Sequence, residues 1–205
     1  MSYIGSKPAN KPVVASDLDP VIITGQTALT DSPATTDELI ISDAGTLKRI
    51  DFADLGATPA FSAKVASNLT SQSFNATILV PHATETFDTD GAFTNTASNY
   101  RFTVPSGKAG KYFITFNAGV KTESGAGLRT FGFFIRKDGT NVRSFYVQGG
   151  SDYTDNNADV KRCVTGVLDL AESEYIDTTV YCYGGSGSLT ILADSFFEGF
   201  RIAGA

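Results

Sequence analysis

The sequence predicts an all-β protein, and three observations support this class. Aromatic residues alternate with small or polar ones at a period of two in the segment from Phe87 to Phe116 and again over residues 195–200, as in half-buried antiparallel strands. The 205 residues include 20 Gly, 15 Phe and 8 Tyr, which favour turns and strands. No long stretch has the period of an amphipathic helix. We therefore expect a sheet protein.

The N-terminal part differs in composition from the rest, and the change near residues 56–59 predicts two domains, 1–57 and 58–205. The first opens with an extended Pro-bearing arm, residues 8–20, which has too few apolar residues to fold by itself. Two short apolar runs then flank Asp43-Ala44-Gly45, where the glycine suits the positive φ of a hairpin turn.

The predicted hairpin carries more apolar side chains than two strands can bury. A two-stranded sheet is marginal alone in water, so the hairpin needs a neighbour to pack against. We expect these side chains to contact either other copies of this chain or another protein, and they are the candidate residues for docking onto a larger particle. They are Leu39, Ile40, Ile41, Leu47 and Ile50.

In the second domain, two strands carry large apolar side chains on both faces. One face of residues 111–121 is apolar throughout and is predicted to lie in the core; its members are Tyr112, Ile114, Phe116, Ala118 and Val120. The opposite face includes Phe113. The last strand likewise places Phe197 on one face and Phe196 and Phe200 on the other. A single exposed Phe is ordinary, but aromatic residues on two strands favour a second burial surface.

A further pair of strands is predicted over residues 129–137 and 142–148. In the first, Phe131, Phe133 and Ile135 share one face. Asp138-Gly139 then supplies the turn between the two strands. We expect this hairpin to act as scaffold.

Ten residues in the second domain follow a distinctive order. An aromatic residue, an Asn and a second aromatic precede a Gly-x-Tyr strand, and the chain closes on Ser-x-Phe-x-Gly-aromatic; the residues are Phe87, Asn95, Tyr100, Gly110, Tyr112, Phe116, Ser195, Phe197, Gly199 and Phe200. Over residues 59–205 this order resembles the globular head of complement component one-q and its tumour-necrosis-factor relatives. The resemblance implies a ten-stranded jelly-roll sandwich and a homotrimer, here preceded by the extended arm and short hairpin.

The resemblance also implies where the trimer contacts lie. In that family the two strands with apolar residues on both faces are neighbours in the inner sheet, whose outer face packs around the threefold axis. The implied interface residues are Phe113, Thr115, Asn117, Phe197 and Gly199.

The two cysteines allow alternative arrangements. If their strands formed one hairpin turning at Glu172-Ser173, Cys163 and Cys182 would be nine residues from the turn on either side and could pair. The resemblance instead implies that the two strands belong to different sheets. Alternation then puts Cys163 on an outward face and Cys182 on an inward one, so we expect two free thiols. That is the norm in a reducing compartment.

The N-terminal segment carries a second resemblance. Its successive motifs are Ser2-Tyr3-Ile4-Gly5, Pro12-Val13-Val14, Thr24-Gly25 and the run over residues 37–51. This order is similar to the leader of tail-fibre and other virion proteins of aquatic bacteriophages. The resemblance implies an attachment module, although a flexible leader with an isolated hairpin is the alternative.

Catalytic, metal and nucleic-acid functions find little support in the sequence. The only His is His82, beside Pro81, and no Gly-x-Ser-x-Gly elbow is present; we expect His82 to be a solvated loop residue. Two cysteines and one His have no zinc-ligand spacing. The net charge of −6, with scattered basic residues, does not suit a nucleic-acid partner. We therefore expect a non-enzymatic protein without a cofactor.

Two acidic loops, residues 88–91 and 151–159, contain oxygen groups of the kind that bind calcium. Asp88-Thr89-Asp90-Gly91 begins like a calcium loop but lacks its remaining ligands, and an Asp- and Asn-rich loop is most often a soluble turn. No metal is predicted at either. The second loop is long and polar, so it is a candidate recognition loop; its residues are Asp152, Tyr153, Asp155, Asn156 and Asn157.

The two resemblances together imply a structural bacteriophage protein. It would be a homotrimer anchored to phage tail or capsid proteins by its N-terminal segment, with the jelly roll displayed for adhesion to a host receptor or glycan, as in a short tail fibre. Capsid decoration is the alternative, and a carbohydrate-active enzyme or a secreted signalling protein is less favoured. No export signal or membrane span is seen, so we expect assembly in the host cytoplasm and residence in the virion, without membrane insertion.

Overall fold

The chain divides into two compact units, Met1–Gly56 and Ala57–Ala205. The computed structural model describes residues 33–34, 36–52, 58–96, 98–123, 128–148, 159–184 and 187–204. Within these ranges, no helix has the length and apolar content needed to cross a membrane.

The first unit contains the predicted hairpin. Strands β1 (Glu38–Asp43) and β2 (Thr46–Asp51) are antiparallel. Ala44 and Gly45 connect them with φ values of 49° and 82°, and a two-residue turn with both φ values positive suits the twist of a hairpin. An ion pair between Arg49 and Glu38, at 3.0 Å, links the strands. The hairpin prediction is confirmed.

The second unit is a sandwich of two antiparallel sheets, called the sandwich from here on. Its described strands are β3 (Ala60–Lys64), β4 (Leu69–Ser73), β5 (Ala76–Leu79), β6 (Thr84–Asp88), β7 (Phe93–Thr96), β8 (Asn99–Thr103), β9 (Gly110–Thr122), β10 (Leu128–Lys137), β11 (Thr140–Gln148), β12 (Asp159–Leu170), β13 (Tyr175–Gly184), β14 (Ser188–Ile191) and β15 (Phe196–Gly204).

The strand connections define a jelly roll. The six-stranded sheet has the order β11-β10-β13-β8-β7, with β5 also paired to β13; the seven-stranded sheet has the order β4-β14-β9-β15-β3-β6, with β12 also paired to β9. From β9 onward the chain passes back and forth between the sheets, as in a jelly roll. The sandwich has thirteen described strands, three more than the ten expected.

The core lies between the sheets and follows the predicted alternation. Side chains from both sheets are buried, including Tyr112, Ile114, Phe116, Ala118, Val120, Phe131, Phe133 and Ile135. The ring of Phe61 stacks on Phe102 at 4.5 Å and on Phe93 at 5.4 Å between centroids. Stacked aromatic pairs add to the free energy gained from burial. Among the described residues, the core is therefore formed by side chains from both sheets.

The cysteine strands lie in different sheets, as predicted. Cys163 is on β12 of the seven-stranded sheet and is exposed, whereas Cys182 is on β13 of the six-stranded sheet and is buried. Both are free. The single-hairpin alternative, with the two cysteines opposite each other, is wrong because β12 pairs with β9 and β13 pairs with β10.

Candidate functional site

The outer face of the seven-stranded sheet carries an apolar row. In the strand register, Val167 of β12 lies beside Phe113 of β9, which lies beside Phe200 of β15, which lies beside Ala60 of β3. The rings of Phe113 and Phe200 are 5.6 Å apart. Phe200 is 48% exposed and Val167 is 46% exposed. Four adjacent strands thus present one continuous apolar stripe, the apolar row, to the outside of the sandwich.

Polar side chains border the apolar row. The next cross-strand set joins Thr165, Thr115 and Glu198, and Glu198 accepts a hydrogen bond of 2.8 Å from the Ser62 hydroxyl. In the following cross-strand set, Asn117 of β9 lies beside Cys163 of β12 and Phe196 of β15. An apolar centre with a polar border is the usual anatomy of a protein–protein interface. Three predicted interface residues, Phe113, Thr115 and Asn117, lie on this outer face.

Two predicted interface residues do not lie there. Phe197 is fully buried in the core, with its ring 4.9 Å from that of Phe61. Gly199 also faces inward, because a Cβ built on it would meet Ile114 Cδ1 at 2.5 Å. The assignment of Phe197 and Gly199 to an intersubunit surface was therefore wrong. Phe200, which the sequence placed on the opposite face of the same strand, occupies the outer surface instead.

His82 is buried, so the expectation of a solvated histidine was wrong. Its Nε2 lies 2.8 Å from the Thr178 hydroxyl, and its ring packs edge-on against Phe116 at 5.8 Å. Burial lowers the pKa of His82 to about 3, because an apolar environment disfavours the charged ring. A neutral imidazole held this way contributes to the core.

The side chains of the acidic turn after β6 form hydrogen bonds within the turn itself. The Asp88 carboxylate accepts hydrogen bonds from the backbone N–H of Asp90, at 3.2 Å, and of Phe93, at 2.6 Å. The Thr89 hydroxyl donates to Asp90 at 2.6 Å. These contacts are those of a turn stabilised by Asp side chains. Among the described residues, no group of three or more His, Cys, Asp or Glu side chains is placed to hold a metal ion.

Glu123 also has a structural environment. Hydrogen bonds from the Ser188 hydroxyl, the Ser71 backbone N–H and the Thr190 hydroxyl hold the pKa of Glu123 below its ordinary value. The carboxylate thereby links β14 to the segment that contains Ser71.

The predicted recognition loop, with Asp152, Tyr153, Asp155, Asn156 and Asn157, lies outside the described residues.

The hairpin residues predicted to dock are distributed over both faces of β1 and β2. Leu39 pairs with Ile50 and Ile40 pairs with Arg49, so Leu39 and Ile40 point to opposite sides. Ile40 is 79% exposed, and Leu39 and Ile41 are exposed as well. The side chain of Leu47 lies outside the described residues; its backbone pairs with Ser42. Apolar groups on both faces are available for contact.

No family model and no curated protein sequence matches the chain. Among solved structures, it is similar to the globular domain of the zebrafish complement 1qA protein, with 18% identity, a TM-score of 0.46, and coverage of 72% of this chain and 99% of that one. It is also similar to murine APRIL, with 10% identity, a TM-score of 0.49, and coverage of 71% of this chain and 99% of that one. A third similar structure is the Eiger TNF of S. frugiperda, with 12% identity, a TM-score of 0.48, and coverage of 72% of this chain and 93% of that one. The fold assignment rests on the chain's own strand pairings.

Proposed function

We propose that the protein is a non-enzymatic attachment and display protein that works as a homotrimer in a bacteriophage particle. The apolar row is the main observation that supports the proposed trimer. The N-terminal hairpin docks on the particle, and the sandwich is displayed for adhesion to a host surface, as in a short tail fibre.

The apolar row supports the trimer because the fold does not need it. The core is filled by the inner faces of the two sheets, yet Phe200, Val167 and the half-buried Phe113 remain on the outer face. Burying one such side chain contributes about 1.5–3 kcal/mol, and three copies of the row would meet around a common axis. A patch of this kind, bordered by polar groups, marks an interaction surface.

The docking role rests on the N-terminal segment. Its resemblance to leaders of phage virion proteins supplies the partner class, tail or capsid proteins. The exposed Leu39, Ile40 and Ile41 supply apolar surface that a two-stranded hairpin leaves uncovered. A capsid decoration protein would dock through the same hairpin, so the two roles differ in the position of the protein on the particle.

The test is incorporation into particles. Deleting residues 1–56 is expected to leave a folded sandwich that no longer joins the particle, and Ile41→Asp with Ile50→Asp is expected to act in the same way because it places charge in the proposed contact. Thr36→Asp, at an exposed position before β1, is the matched control. Normal copy number of the truncated protein in particles would contradict the docking role, and antibody labelling seen by electron microscopy distinguishes tail from capsid.

A further inference from the structure

The outer face of the six-stranded sheet contains a cleft of about 490 Å³. It extends from β5 across β13 to β10 and the turn between β10 and β11. The lining residues are Thr77, Phe134, Arg136, Gly139, Thr140, Asn141, Thr179 and Tyr181. These residues come from four strands and one turn of the same chain. Its size is within the range of small-molecule binding sites.

Aromatic side chains form part of the cleft wall. The ring of Phe134 lies over Gly132, where an added Cβ would meet Phe134 Cζ at 2.5 Å and Tyr146 Cδ2 at 2.9 Å. Tyr181 lies in register between Gly132 and Thr77. The glycine therefore makes room for two neighbouring rings. Aromatic faces carry partial negative charge, and this favours ligands that present a flat array of C–H groups.

One buried hydroxyl in the cleft has no partner. Thr179 is 1% exposed, and its Oγ1 makes no hydrogen bond. In the register it stands between Leu79 and Phe134, neither of which has a side-chain group to pair with it. Buried polar groups are nearly always hydrogen-bonded, so an unpaired one calls for a water or a ligand. Thr179 is one of the residues that line the cleft, so its unpaired hydroxyl favours a ligand that has hydroxyl groups of its own.

The charged group at the cleft is already neutralised. Arg136 donates two hydrogen bonds to Asp177, both at 2.6 Å. A guanidinium has five N–H groups, so Arg136 can still donate to a neutral acceptor while its charge is balanced. The other polar lining groups, Thr77, Thr140 and Asn141, are uncharged and exposed. The cleft therefore suits a neutral ligand better than an anion.

We infer that this cleft binds a neutral pyranose unit of a surface polysaccharide. The C–H face of the sugar ring would pack on Phe134 and Tyr181, and sugar hydroxyls would pair with Thr179, Asn141 and Arg136. This inference deepens the proposed adhesion role and rests on it for its biological meaning. A single sugar in an open cleft would bind weakly, and repeating the site three times in a trimer would raise the avidity.

The inference can be tested by NMR titration of the full chain with methyl glucoside, methyl galactoside and methyl N-acetylglucosaminide. We expect at least one glycoside to bind with a dissociation constant on the order of 1 mM. Sorbitol, which has the hydroxyls without a flat ring, should not bind. Failure of all three glycosides at millimolar concentration would overturn the inference. A response to N-acetylneuraminic acid alone would also overturn it, because that sugar is anionic.

Two variants locate the binding site. Thr179→Val is expected to weaken glycoside binding roughly threefold to tenfold, as for the loss of one hydrogen bond, and to keep or raise the melting temperature, because it removes an unpaired buried hydroxyl. A merely structural role for Thr179 would not combine these two effects. Asn141→Ala, at the exposed rim, should weaken binding without affecting folding. Thr94→Val, on β7 of the same sheet but outside the cleft, is the matched control.

Unchanged glycoside affinity in both Thr179→Val and Asn141→Ala would place the sugar elsewhere and overturn the inference. The outcome is separable from that of the proposed function. Because the cleft is formed by one chain, glycoside binding by a monomeric protein would contradict the trimer alone. An intact trimer that binds no glycoside would contradict the cleft alone.

Discussion

The two outer faces of the sandwich differ in chemistry. Across the seven-stranded sheet, Val167, Phe113 and Phe200 form an apolar row in strand register. Across the six-stranded sheet, the outer face holds the Arg136–Asp177 ion pair and the cleft. Both sheets bury apolar inner faces against each other. The apolar core between the sheets therefore depends on the inner faces, while the two outer faces differ in chemistry.

This difference separates two kinds of recognition. An apolar stripe gains most by excluding water against another protein surface. A concave site with aromatic rings and hydroxyl groups suits a small polar ligand. These properties underlie the two proposals, assembly through the seven-stranded sheet and ligand binding in the cleft of the six-stranded sheet.

The largest expected effect contrasts the two faces of β15. Phe197→Ala should lower the free energy of unfolding by about 3–5 kcal/mol, because it leaves a cavity in the core. Phe200→Ala should lower it by less than about 1 kcal/mol in solutions dilute enough for the chains to be monomeric. Urea unfolding of the two variants measures both values. Equal losses would mean that the two rings have equivalent surroundings, contrary to the structure.

The second prediction concerns acid stability and the core histidine. Because burial lowers the pKa of His82 to about 3 from an ordinary 6.5, only the unfolded chain takes up this proton between those two values. The contribution of neutral His82 to the free energy of unfolding is therefore fully present well above pH 6.5 and is lost as the pH decreases below that value. The loss down to pH 4.5 should be about 2–3 kcal/mol.

Urea unfolding over this pH range checks the prediction. His82→Gln keeps a polar group beside Thr178 but cannot titrate, so the dependence on pH above 4.5 should largely disappear. Carboxylates with lowered pKa values, such as Glu123 and Glu174, act at lower pH, because their stabilisation is lost only as the pH falls below the ordinary Glu value. An unchanged slope in His82→Gln would show that other groups are responsible.

Alternation predicted the core faces where one face of a strand is uniformly apolar. Residues 112–120 on β9 and Phe131 to Ile135 on β10 illustrate this, because their opposite faces include polar groups or glycine. On β15 both faces carry Phe, so alternation alone could not tell which one is inward. The available signal was Glu198, which shares a face with Phe200 and marks that face as the outer one.

Other features depend on contacts distant in sequence. His82 follows Pro81 in a loop, and its burial depends on Thr178, 96 residues away. The cleft is lined by residues from Thr77 to Tyr181, on four strands and one turn. No local motif links such residues, so only the pairing of β5, β13 and β10 reveals the cleft.

The smallest expected effect distinguishes the two thiols. Burial raises the pKa of the Cys182 thiol to about 12, and only the thiolate reacts rapidly. In the native protein we expect a maleimide to modify Cys163 and not Cys182. Under denaturing conditions without reductant, both should react. Failure of both to react after denaturation would reveal a disulfide, and equal native rates would contradict the burial of Cys182.

The most direct test of assembly through the apolar row is light scattering on residues 58–205. The wild-type protein should have three times the chain mass at micromolar concentration, and Phe200→Asp should be a folded monomer, because it places an unpaired charge in the interface. Tyr146→Asp, an exposed aromatic residue on the other sheet, should remain trimeric. A monomeric wild type, or a folded Phe200→Asp variant that stays trimeric, would contradict the account.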